Sequence, residues 1–90
     1  MASVIVTPSG SMKEVKPMNG EKFTLFELQQ HVGGYIEIIY LTNDKLLVVD
    51  EEGKLKGKPL NRIATGWLNA DGIIDYVAGT AILMDSKLMQ

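Results

Sequence analysis

The residue types that could do chemistry are few in this chain of 90 residues. There is one histidine, His31, and a Ser-His-acid arrangement needs that histidine to be oriented by an acid. Its neighbours Val32-Gly33-Gly34 mark a helix end instead, where an imidazole complements the dipole. No cysteine is present, which removes disulfides, thiolate metal sites and a cysteine nucleophile. A lone histidine with scattered carboxylates is also a poor zinc site. Asp50, Glu51 and Glu52 are adjacent, but their context reads as a solvated hairpin tip. Glu37 sits within the apolar run Ile36 to Ile39, so it either faces solvent or is buried for a purpose. Asp75 precedes Tyr76 at a strand start, a capping or turn position. These residues make no self-sufficient enzyme. Catalytic, metal and cofactor sites are not expected.

Binding chemistry is better represented. Lys54, Lys56, Lys58 and Arg62 follow one another without an acid, and in an extended chain the three lysines would share one face. The alternative reading is an edge strand guarded by lysine. Arg62 follows Asn61 near a helix start, where N–H groups favour anions, and its guanidinium matches phosphate as a fork. Val32-Gly33-Gly34-Tyr35 is no phosphate loop: it lacks the Gly-Lys-Ser/Thr ending and follows a helix. Gly79-Thr80 allows a close backbone approach or a bulge.

The elements that must position these residues can be read from local signals. Ser3–Thr7 and Met12–Lys16 read as a pair of strands around Pro8-Ser9-Gly10. Thr24 and Glu27 form a capping box, with the Thr24 hydroxyl on the N–H of Glu27 and the Glu27 carboxylate back on Thr24. Leu25, Leu28 and Val32 make one apolar stripe, and Gly33 closes the last turn, so a helix is expected over about 25–32. Tyr35–Leu41 is apolar on both faces and reads as a central strand. Lys45–Asp50 returns beside it. Residues 54–59 suit an edge strand or an extended loop. Pro59 suits the start of a short second helix over 60–68, weakened by Gly66. The last strand is expected over 75–84. The fold class that follows is α+β: a small, mostly antiparallel sheet of about five strands, packed with one main helix and one short helix. Residues 1–90 form one domain.

Composition sets the setting. The net charge is −2, which disfavours duplex DNA. Residues 1–10 lack the basic and apolar segments of a signal peptide, and no apolar stretch approaches the ~20 residues that span a bilayer. A cytoplasmic location in a bacterial host is expected.

Three blocks carry a resemblance: LQQHVGGYIE (Leu28 to Glu37), DEEGKLKGKPLNR (Asp50 to Arg62) and DYVAGTA (Asp75 to Ala81). In order and spacing they are similar to an uncharacterised domain-of-unknown-function family, number 3846, found in bacteria, phages and mobile elements. The chain departs from the family pattern at Lys58, where a small apolar residue such as Leu is common. The resemblance brings no catalytic residues and implies a phage or mobile-element context.

The expected function is non-enzymatic binding, or sequestration, of a small anionic ligand: a nucleotide or a nucleotide-derived immune signal. The ligand-binding candidates are Asn61, Arg62, Tyr35, Glu37, Thr65, Gly79, Thr80 and Tyr76, with Tyr35, Tyr76 or Trp67 available to stack on a base. A chain this small leaves little room for a cavity of its own, so a homo-oligomer with pockets between subunits is expected. One alternative is an accessory domain that binds a host protein through Trp67, Leu68 and the tail Leu88-Met89. A weaker one is a metal-dependent nucleotide hydrolase using Glu37 or Asp75.

Overall fold

The computed structural model describes residues 3–89. In chain order it comprises β1 (Ser3–Val6), β2 (Met12–Val15), α1 (Leu25–Val32), β3 (Ile36–Tyr40), β4 (Lys45–Asp50), α2 (Arg62–Ala70), β5 (Ala81–Asp85) and a final single turn, Ser86–Leu88. The five strands form one sheet in the order β2-β1-β5-β4-β3, and every neighbouring pair is antiparallel. The fold is α+β, as the residue patterns imply.

A helix lies on each face of the sheet. Leu46, Val48, Ile82 and Met84 point to one face and bury Phe23, Leu28 and Val32 of the α1 segment. Val6, Leu47, Val49 and Ala81 point to the other and bury Ala64 and Leu68 of α2. Strand alternation thus feeds two half-cores, which is why β4 is apolar at successive positions.

Helix α1 starts and stops where local signals place it. The Thr24 hydroxyl accepts from Glu27 N–H at 3.2 Å. Gly33 takes the left-handed conformation at φ 87°, and its N–H donates to Gln29 O. Two details differ. The Glu27 carboxylate accepts from Met18 N–H at 2.9 Å, so only half of the capping box forms and the other half anchors the incoming chain. Leu25 is exposed, and the buried stripe runs through Leu28 and Val32 with Glu27.

Four other expectations change. Strand β3 lies at an edge of the sheet, not at its centre. Its two apolar faces arise because a helix covers each side: Ile36 and Ile38 pack toward α1, and Ile39 toward α2. Residues 54–59 are neither strand nor extended. They coil through tight turns closed by Lys56 N–H to Glu52 O, Gly57 N–H to Lys54 O and Lys58 N–H to Gly53 O, with Gly57 at φ 70°. The second helix spans nine residues against eight for α1, and Gly66 lies inside it. The last strand starts only at Ala81. Residues 75–80 run irregularly beneath α2, held by Asn69 Nδ2 on the carbonyls of Ile73 and Asp75.

Candidate functional site

Alternation along β4 puts Asp50 on the α1 side, in line with Leu46 and Val48. Its side chain is fully buried. A carboxylate in such a place must be paired. Lys58 and Lys56 both form ion pairs with it, the latter at 3.0 Å, and Glu52 N–H donates at 2.8 Å. Burial raises the Asp50 pKa, but the hydrogen bonds from Lys58, Glu52 N–H and Lys56 outweigh it and hold the carboxyl below its ordinary value.

The two lysines reach Asp50 because glycines clear the way. A Cβ on Gly34 would stand 2.7 Å from the Lys56 ammonium and 3.2 Å from the Asp50 carboxylate. The Lys58 stem crosses Gly79, where a Cβ would stand 2.9 Å from its Cδ. The Lys58 ammonium also donates to Val32 O, the last carbonyl of α1, at 3.3 Å. A Cβ on Gly53 would overlap the carbonyl oxygen of Ala78. The segments Val32 to Gly34, Asp50 to Lys58 and Ala78-Gly79 therefore meet around one carboxylate. One negative charge faces two positive ones. Lys58 is further offset by the α1 C-terminus, and Lys56 stands between Asp50 and the Glu52 side of the basin.

Beside Lys56 opens a basin of about 440 Å³, bounded by Gln29, Gln30, Gly33, Gly34, Tyr35, Glu52 and Lys56. Its volume falls in the range of small-molecule sites, roughly 300–1,000 Å³. It offers an exposed tyrosine, two amides able to donate and accept, and an ammonium with one of its three donors engaged on Asp50.

On the opposite side of the 51–58 turn lies a narrower cleft of about 230 Å³, bounded by Glu37, Glu51, Lys54, Asp75, Tyr76 and neighbouring backbone. Lys54 pairs with Asp75 and its ammonium lies 4.3 Å from the centre of the Tyr76 ring. The hydrogen bond with Asp75 raises the Lys54 pKa, and the same bond, with Tyr76 N–H, lowers that of Asp75. Both groups are about half exposed.

The structure disperses the remaining candidates. Asn61 is buried with its side chain committed: Oδ1 caps α2 at Ala64 N–H (3.0 Å), and Nδ2 donates to Val6 O (3.0 Å) and Gly79 O (2.9 Å). It joins helix, sheet and the 75–80 segment, and its hydrogen-bonding groups are occupied by the fold. Thr65 Oγ1 accepts from Val77 N–H. Gly79 is buried at φ 92°, its N–H on Pro59 O, and Thr80 is half-buried before β5. Arg62 is exposed at the first position of α2. Tyr35 thus lies at the basin, while Glu37 and Tyr76 lie at the cleft. The three lysines do not share a face, because the turns send Lys54 to Asp75 and the other two to Asp50. Asp50, read as part of a solvated tip, is instead the buried centre. The run of β4, apolar at successive positions and therefore covered on both faces, carried that signal up to its last residue. Gln29 and Gln30 had no signal of their own.

The apolar residues suggested for a host-protein contact turn inward. Leu68 is fully buried, Trp67 packs on the α2 half-core, and Leu88 and Met89 pack on the α1 half-core. Among the described residues, no group of three or more His, Cys, Asp or Glu side chains is placed to hold a metal ion. No helix among them is long and apolar enough to cross a membrane.

Fold and site together define a small five-stranded antiparallel sheet, covered by a helix on each face and tied by a buried Asp50 that two partly exposed lysines cover. The chain belongs to the family described as Domain of unknown function (DUF3846), whose model matches residues 1–87. No curated protein and no solved structure matches it.

Proposed function

We propose that the chain is a non-enzymatic binding protein for a small anionic, nucleotide-like ligand, and that the basin beside α1 is its site. The observation that carries this reading is the combination at its rim: Lys56, with two of its three donors not engaged on Asp50, the amides of Gln29 and Gln30, and Tyr35, with Glu52 the one carboxylate on the wall. The ammonium suits a phosphate, the amides suit the polar edge of a base, and the tyrosine offers a stacking surface. This shifts the anion-binding role from Asn61 and Arg62 to Lys56. A ligand held there without chemical change makes the chain a sequestering protein, a role that fits a phage or mobile-element protein acting on a nucleotide immune signal in the host cytoplasm.

A thermal-shift screen across mono-, di- and cyclic nucleotides and ADP-ribose derivatives tests this. Ligand at ~100 times its dissociation constant stabilises by about 2.7 kcal/mol. The upshift should fall most in Lys56→Ala and shrink in Gln29→Ala, and the ligand should be recovered intact after denaturation. No upshift with any nucleotide overturns the reading. Altered ligand favours a hydrolase instead, with Glu37 or Asp75 of the second cleft as its acids.

A further inference from the structure

Strand β3 has the sequence of an interior strand and the position of an edge strand. The two edges of the sheet are built differently. At the β2 edge, Met12-Lys13-Glu14-Val15 is short, charged and followed by Lys16-Pro17, features that discourage further pairing. At the β3 edge, Ile36-Glu37-Ile38-Ile39-Tyr40 has no lysine, no proline and no bulge. Ile36, Ile38 and Ile39 are only half-buried there, and Tyr40 is 71% exposed.

The hydrogen-bond phase identifies which backbone groups are free. Leu41 N–H donates to Lys45 O and Glu51 N–H to Tyr35 O, so the odd-numbered residues of this strand bond to β4. In an antiparallel ladder the alternate residues then point away. Ile36, Ile38 and Tyr40 present their N–H and C=O groups outward, and among the described residues no backbone partner meets them.

We propose that β3 pairs antiparallel with β3 of a second copy of this chain, forming one sheet continuous across a two-fold axis at Ile38. Only that register engages all three outward residues: Ile38 faces its own counterpart, and Ile36 faces the partner's Tyr40. Such an interface is self-complementary, as a two-fold dimer requires. It brings the turn holding the partner's Thr42 alongside Gly34, at the end of β3 where Lys56 and Lys58 meet Asp50. It also covers what the two helices leave exposed of Ile36, Ile38 and Ile39. The axis is perpendicular to the sheet, so the partner's Tyr40 stands on the α1 side, beside Ile36 at the end of the basin that Tyr35 bounds. The pairing itself stands without any ligand.

Sedimentation combined with amide hydrogen exchange, both without ligand, tests the pairing. The wild-type chain should sediment at twice its 9.9 kDa mass, with the Ile38 and Tyr40 amides protected. Tyr40→Pro removes an outward donor and no bond to β4, and should halve the mass while keeping the native circular dichroism. Glu14→Pro, an outward position on the β2 edge, should leave the dimer intact. A wild-type monomer at high micromolar concentration overturns the proposal, as does a dimer whose Ile38 and Tyr40 amides exchange freely or one that survives Tyr40→Pro. Should Tyr40→Pro fail to fold, the exchange pattern of the wild-type chain decides. A ligand screen that fails leaves this result unchanged.

Discussion

Two aspartates draw lysines from the same turn, and they do different work. Asp50 is fully buried and holds Lys56 and Lys58, whereas Asp75 is about half exposed and holds Lys54. All three contacts bring an ammonium against a carboxylate. Those at Asp50 tie the α1 terminus, the β4 terminus and the Gly79 backbone to one point. The one at Asp75 lies in water, where side-chain entropy and screening cancel most of the attraction. Breaking a buried pair leaves charge without compensation, and breaking an exposed pair returns both partners to solvent. Burial and convergence, more than the presence of a salt bridge, separate a fold-defining contact from a surface one.

The largest effect is expected at Asp50. Asp50→Ala leaves two ammonium groups against a desolvated site and should cost about 3 kcal/mol, the lower end for a broken buried pair because both lysines can turn toward water. Urea unfolding measures it. Next is Gly53→Ala, whose added methyl overlaps the Ala78 carbonyl, part of the backbone, and so cannot be relieved by a side-chain rotation. Overpacking of this kind costs roughly 1–3 kcal/mol, and the thermal midpoint should fall accordingly. Gly34→Ala should cost less than Gly53→Ala, since its methyl meets chiefly the mobile tip of Lys56. Its clearer sign should be weaker ligand binding at the basin, as Lys56 is displaced. Lys54→Ala should leave the unfolding curve unchanged; a marked loss would erase the distinction between the two sites.

Much of the fold was legible from short-range chemistry. Thr24, Glu27 and Gly33 delimit α1 because caps act within one turn, while apolar, β-branched runs bounded by turns located β1, β3 and β4, and alternation located β2. The misreadings share a cause. Whether Lys54, Lys56 and Lys58 share a face depends on Gly57 taking φ 70°, and a lysine-alternating segment does not declare that. The place of β3 in the sheet depends on which strand β4 meets on its other side, a contact with β5 more than thirty residues away. Asn61 was expected to hold ligand, and its side chain instead serves the fold. Its capping role was local and readable, but its bonds to Val6 and Gly79 span 55 and 18 residues and exist only in the assembled fold. The basin is less legible still, since Gln29 and Lys56 become neighbours only after the 51–58 turn has folded back under α1.

The most direct test sets Asp50→Asn beside Asp75→Asn in urea unfolding from about pH 7 down to about pH 2. The Asp50 pKa is depressed in the folded state, so its stabilisation is fully present above the unfolded value of about 3.9 and is lost as pH falls through the folded value. The account predicts that Asp50→Asn is far less stable than the wild type at neutral pH, that this gap closes on acidification, and that Asp75→Asn follows the wild type closely throughout. Equal losses in the two variants, or an Asp50→Asn gap that does not change with pH, would contradict it.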